Sequence, residues 1–416
     1  MRRARDVNSG RALVGRDLVV FSNDWDGDPL SKTHIMRILS RENRVLWVNS
    51  LGNRKPQPNA HDARRVLRKW RDFREGLRQV EPNLYVLAPL AVPAFGPRAQ
   101  RVNAHAVRAQ VRRAMAKLGF EDVISWSFLP SSAPVSGSLG ESLVVYHCVD
   151  EFSAFSDTDA RQISSLEERL LRRADLVISS SERLLERKRL SNPHAVLVRH
   201  GVDFAHFSRA LDADTRVPAD VAGLPRPVLG FFGLVADWVD LSVFEALARR
   251  FPEGSVVVLG KISPDVDVSR LHGLPNVHLL GRKPYSSLPG YCRAFDVGLL
   301  PFVQNELTLN ANPLKVREYL AAGLPVVATD LPETRGLGNG CFLARSREEF
   351  LRQAEAALGQ GGGVSAERSE LLRRESWEAR VEEIRTAVGE RMISLRGAAT
   401  PPTPRPAVTG ATTRRG

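Results

Sequence analysis

Cysteine is scarce in this chain: Cys148, Cys292 and Cys341 stand far apart, and no two form a CxxC pair. That rules out a disulfide framework and a zinc ribbon, and it fits a reducing compartment. Long apolar runs are missing too. No stretch approaches the ~20 residues that a membrane-spanning helix needs. The basic start MRRARDVNSGRALVGRD is not followed by the apolar core of a secretory signal. No internal repeat of short period is visible. The expected setting is therefore soluble and cytoplasmic.

What is present is an ordinary globular mixture, 43% hydrophobic and 25% charged over 416 residues. That length exceeds one domain of ~100–200 residues, so at least two are expected. The net charge of +12 is unevenly placed: residues 1–16 carry five Arg and one Asp, and residues 396–416 carry four Arg and no acid. Within the body, residues 54–78 hold nine basic and three acidic residues, and residues 98–117 hold six basic and none acidic. A basic surface attracts any polyanion, including an anionic membrane face. The segments match no helix-turn-helix, RRM or zinc motif, so no nucleic-acid partner is expected.

Strand-like apolar runs alternate with amphipathic helical stretches, which predicts a parallel, doubly wound α/β sheet. The runs DLVVFS at 17–22 and RVLWVN at 44–49 open the series. Val66, Trp70, Phe73 and Leu77 share one helical face, as do Val107, Val111, Met115 and Leu118. The rhythm breaks between residues 203 and 226 and then restarts. The expected organisation is a basic flexible arm over 1–16, a first Rossmann-like domain over 17–205 and a linker over 206–226. A second Rossmann-like domain follows over 227–375, then a last helix over 376–396 and a disordered tail over 397–416. Ligands of such sheets bind at the carboxyl ends of the strands, which places a site in the cleft between the domains.

The richest stretch is NELTLNANPLKVREYLAAGLPVVAT at 305–329. Asn312 is predicted to cap a helix with Pro313 as its first residue, and Leu314 and Lys315 follow. Free amides at such a start, with Lys315 beside them, make an anion site. Glu318, a turn and a half in, is placed to bridge sugar hydroxyls, although a capped helix with a solvated Glu has the same spacing. In the first domain, Asp24, Asp26 and Asp28 fall in the loop after the first strand. They suit contact with an acceptor hydroxyl, a capping and turn role, or a metal; the glycine falls too early for a calcium loop, and Ile35 stands where its closing Glu belongs. His147, Asp150 and Glu151 follow another strand and are placed to bind or polarise an acceptor. Their plainer reading is a packed histidine and the start of a polar loop. The basic, aromatic-bearing helix near 60–80 suits either a core-facing role or an interfacial membrane contact.

PLKVREYLAAGLPVVATDLPE resembles the donor segment of family 4 retaining nucleotide-sugar glycosyltransferases. VVYHCVDEFSAF, VRHGVDFAHF, GFFGLVADWVDLSVFEALARRFP and VHLLGRKPYSSLPGYCRAFDVGLLPF agree with that family in order over about residues 17–390. The resemblance implies a GT-B fold whose last helix crosses back to the first domain. It also implies transfer from a nucleotide-diphosphate sugar to a glycan, lipid-linked or small-molecule acceptor, with retention and without a metal or other cofactor. Glu318 aligns with the family's ribose-binding Glu. The partner Glu, eight positions earlier, is Asn310 here, a neutral donor and acceptor. The loop that in the family often holds the diphosphate cations runs from Gly233 through Asp237 to Trp238 without a cation. Lys261, Arg282, Lys283 and Lys315 are the possible replacements. Asp26, Asp150 and Asn310 are thus the candidate catalytic residues. Gly233, Asp237, Lys261, Arg282 and residues Asn312–Lys315 with Glu318 form the candidate donor site, and Asp24, Asp28, His147 and Glu151 the acceptor side. A degenerate sugar-binding or scaffold subunit and a nucleotide-sugar 2-epimerase share this architecture.

Overall fold

A computed structural model describes residues 10–50, 71, 73–90 and 97–399. The face containing Val66 and Trp70, the first nine residues and residues 400–416 lie outside that range. Two open sheets make up the molecule. The first has eight strands: β1 (Asp17–Ser22), β2 (Arg44–Asn49), β3 (Leu77–Glu81), β4 (Leu84–Leu87), β5 (Ile124–Ser127), β6 (Leu143–Cys148), β7 (Leu176–Ser179) and β8 (Ala195–Leu197). Their spatial order is β3-β4-β2-β1-β5-β6-β7-β8. All pairs are parallel except β3 with β4. The second has six parallel strands: β9 (Val228–Phe232), β10 (Ser255–Leu259), β11 (Val277–Gly281), β12 (Val297–Leu300), β13 (Val326–Thr329) and β14 (Cys341–Ala344). Their order is β11-β10-β9-β12-β13-β14.

Both faces of each sheet are covered, which is why the strands read as unbroken apolar runs. In the first domain, Val20, Trp47, Trp126 and Val145 pack under helix α1 (Ser31–Leu39). Val19, Phe21 and Leu46 pack under α2 (Pro97–Leu118) through Val107, Val111 and Met115. Helices α3 (Ala160–Arg173) and α4 (Glu182–Arg189) cover Tyr146 and Val177. In the second domain, α5 (Leu241–Arg250) and α7 (Arg347–Gly359) close one face through Phe244 and Phe350. Between them in sequence, α6 (Leu314–Ala321) packs Val316 and Leu320 on the other face. The last helix, α8 (Trp377–Ala399), leaves the second domain and inserts Trp377, Val381, Ile384 and Val388 into the first domain's core.

Four expectations change. Leu77 is not helical: Gly76 adopts φ 68° and turns the chain into β3, an antiparallel edge strand. The arm expected over 1–16 is tied down from Gly10, because the turn Gly10–Leu13 buries Leu13 beside α8. The break at 206–226 is not an extended linker. Short helical turns there bury Phe207, Ala210 and Val221 against the second core. The tail begins later than residue 397, since α8 runs to Ala399.

Candidate functional site

The carboxyl ends of both sheets face each other, and a short polar segment stitches them together. Residues 310–312 lie against the loop after β7. Ser181 Oγ donates to the Asn310 carbonyl at 2.7 Å, and Asn312 Nδ2 donates to the Ser180 carbonyl at 2.7 Å. His200 Nδ1 meets the Asn312 carbonyl at 2.9 Å. Glu333 of the second domain accepts from the Glu182 amide and from Arg199, each at 2.8 Å. Asn312 therefore does not cap α6, as its spacing predicted. The cap position is Pro313, which has no side-chain cap bond, and the Asn312 carboxamide instead crosses the cleft and accepts from Arg317.

On the second-domain side, the strand ends approach backbone to backbone. Gly233 follows β9 at φ 153°, and Gly260 follows β10 at φ 151°. A Cβ on Gly260 would sit 1.7 Å from the Gly233 carbonyl oxygen, so only glycine fits there. Lys315 runs beneath Gly233, with its ammonium 5.1 Å from the Phe232 ring centroid and 2.8 Å from Glu318 Oε2. Glu318 is buried. Burial first, and then the Glu318 charge, push up the Tyr285 hydroxyl and the Cys292 thiol, so both groups flank this carboxylate. Tyr285 also stacks on His206 at 4.3 Å. Next to it opens a cavity of about 700 Å³ between the domains. Its walls include Asp28, His34 and Arg37 from the first domain, Arg282, Lys283 and Tyr285 from the second, and Trp377.

The remaining donor-side residues are not drawn together. Asp237 and Lys261 are exposed, and Lys261 touches the Gly233 loop through its carbonyl, which accepts from Val235. Lys283 is taken by Asp220 at 2.6 Å. Arg282 reaches across the cleft to Asp28 at 3.0 Å. Leu314 opens α6 half-buried beside the first-domain core.

The three candidate catalytic residues share no contact. Asp26 pairs with Arg78 on β3, and Asp24 is exposed. Asn310 is fully buried: its Nδ2 donates to the Glu306 carbonyl at 2.6 Å and carboxylate at 3.1 Å, while its Oδ1 has no partner among the described residues. Asp150 is pushed up to about 6 by burial and by Glu151, against the pull of Lys32. Glu151 does not face an acceptor. It is buried in an ion pair with Lys188 at 3.1 Å and accepts from Ser153. His147 is a packed residue, stacked on Phe128 at 5.0 Å and held near 3 by burial, with Nδ1 unpartnered.

Three residues at this floor had no sequence signal. Lys32 is buried on the first turn of α1. His34 stacks on Trp377 at 5.6 Å. Arg317, fully buried, bonds Glu375 at 2.8 Å and so ties α6 to the turn before α8. Lys32 and Arg317 break the rule that charged residues are rarely buried, and no spacing announces such exceptions.

Residues 226–360 match the family described as glycosyl transferases group 1. A curated relative, a putative teichuronic acid biosynthesis glycosyltransferase of Bacillus subtilis, TuaH, is 28% identical over 284 residues, or 64% of this chain and 71% of its own. Among solved structures, a sucrose-phosphate synthase from Thermosynechococcus elongatus superposes with a TM-score of 0.67 at 16% identity, covering 92% of this chain and all of its own. The Anabaena protein HepE, solved with UDP-glucose, superposes with a TM-score of 0.56 at 15% identity, over 92% of this chain and 99% of its own. The fold is GT-B, and the second domain is a group 1 glycosyltransferase domain.

Proposed function

We propose that this glycosyltransferase takes a sugar from a nucleotide-diphosphate donor and places it, with retention, on a hydroxyl of a glycan or lipid-linked acceptor in surface polysaccharide synthesis. One observation carries the reading: the Glu318–Lys315 pair under Gly233 at the start of α6, beside the interdomain cavity. Glu318 has one carboxylate oxygen on Lys315, and the carboxylate can accept from ribose hydroxyls; Gly233 leaves room for a diphosphate against backbone amides. The departing diphosphate gains negative charge and accepts the proton of the incoming hydroxyl, a same-face route that needs no metal. HepE was solved with UDP-glucose and TuaH is named for teichuronic acid biosynthesis, which supports a donor of this class and a polymer product.

The test is calorimetry with UDP, GDP, dTDP, ADP and CMP. One nucleotide is expected to bind, and Glu318→Ala to weaken it by about tenfold to a hundredfold, the worth of hydrogen bonds to a charged group. Unchanged affinity in that variant removes Glu318 from the site. Turnover is expected to survive EDTA. Asn310 favours a second reading, a sugar-binding subunit, for which nucleotide binding without any transfer is the signature. Helix α2 exposes Arg101, Val102, Arg112, Arg113 and Lys117, a face suited to anionic lipid, and liposome flotation with and without anionic lipid decides whether it is used. Residues 54–70 of that basic region lie outside the described residues.

A further inference from the structure

The anion site at the start of α6 is short of cations in its own domain. Lys315 is engaged by Glu318, Arg317 by Glu375 and Asn312, Lys283 by Asp220 and Arg282 by Asp28. Lys261 is exposed, and the loop from Gly233 to Trp238 has none. The first domain holds a buried cation. Lys32 is only 6% exposed. Its ammonium donates to the Asn23 carboxamide, and among the described residues no carboxylate lies within ion-pair distance of it. An ammonium has three donors, and its burial outweighs the pull of Asp150, which leaves Lys32 lowered to about 8.

Its surroundings point toward the start of α6. Lys32 stands two residues before His34 on α1, and His34 and His200 both pack on Trp377, at 5.6 and 5.9 Å; the Lys32 charge is also felt by Asp150, His147 and His200. His200 in turn holds the Asn312 carbonyl, two residues before α6 begins. Burial keeps His200 near 4, so the ring is neutral, its Nδ1 carries the proton toward Asn312, and Nε2 is a bare, buried acceptor with no partner. A cation and an unmatched acceptor thus lie together at the seam where the donor's phosphates would enter.

We infer that Lys32 of the first domain adds, across the cleft, positive charge for the donor diphosphate to that of Lys315 and Lys261. This rests on the donor site proposed above. The C1–O bond of the donor breaks with both electrons going to the diphosphate oxygen, the acceptor oxygen bonds to C1 on the same face, and its proton passes to the diphosphate. Lys32 neither gives nor takes a proton; it neutralises the leaving group. Because the cation and the nucleotide pocket belong to different domains, the leaving group is fully stabilised only when the cleft is shut.

The test compares UDP, GDP and ADP with uridine, guanosine and adenosine by calorimetry, in the natural protein, Lys32→Met, Lys32→Gln and Lys32→Arg. Lys32→Met is expected to lose about tenfold to a hundredfold in affinity for the diphosphate that binds, with nucleoside affinity unchanged. Lys32→Gln, which keeps a donor for Asn23, is expected to lose as much, and Lys32→Arg to recover most of it. Equal diphosphate affinity in the folded Met or Gln variant overturns the inference alone. A natural protein that binds none of these diphosphates, and neither dTDP nor CMP, overturns the donor-site reading, and this one with it.

Discussion

At the residue scale, the floor of the cleft is a set of groups held away from their ordinary charge states. His147 is kept near 3, and His34 and His200 near 4, each mainly by burial. All three are depressed from 6.5, so the unfolded chain takes up protons that the folded one refuses. Their contribution to stability is complete above pH 6.5 and is lost as pH falls toward 4. Asp150, raised to about 6, works the other way: its contribution is complete below 3.8 and is lost as pH rises through 6. Three imidazoles outweigh one carboxyl, so thermal melts are expected to fall steadily from pH 6.5 to 4.5. His147→Asn is expected to flatten that slope by about 1.4 kcal/mol per pH unit, one proton's worth. An unchanged slope shows that His147 does not carry the effect. Asn310 also makes sense at this scale. Its Nδ2 faces a backbone carbonyl and the Glu306 carboxylate, a place where a second carboxylate would be repelled. The placement of Glu318 and Lys315 together on the first turns of one helix was legible from spacing, because that helix is regular. Lys32, His34 and Arg317 were not, because their partners, Asn23 for Lys32, Trp377 for His34, and Asn312 and Glu375 for Arg317, come from other elements that meet them only in the folded chain.

At the scale of elements, the donor side depends on two strand ends that nearly touch. Gly260→Ala puts a methyl 1.7 Å from the Gly233 carbonyl, so the loop above Lys315 must move. The expected result is a loss of nucleotide affinity of up to about a hundredfold, the scale of a 1 Å misplacement. Gly273→Ala, where an added Cβ meets nothing within 4 Å, is the control that leaves binding unchanged. Calorimetry of the two variants side by side checks this. Strands buried on both faces were readable as apolar runs, and β1 and β2 begin and end where those runs do. β3 was not readable: LRQVE is half polar and lies at an edge, half-buried or exposed throughout, so it lacks the apolar run that marks its neighbours.

At the scale of the whole molecule, α8 belongs by sequence to the end of the second domain and by packing to the first. Ile384 is 1% exposed in the first domain's core. Ile384→Ala is therefore expected to destabilise the first domain by about 2–5 kcal/mol. Urea unfolding followed by a first-domain probe reads this, and an unchanged midpoint there contradicts the packing. This ownership also sets an order of events during synthesis. The first sheet is complete at Leu197, but the helix that seals one of its faces begins about 180 residues later, at Trp377. At ~5–20 residues per second, the ribosome leaves the part of that face not covered by α1 open for roughly 10–40 seconds. The domain made first is thus the one finished last, and a chain cut short anywhere in its second half carries an uncovered apolar face that a chaperone or a protease can recognise.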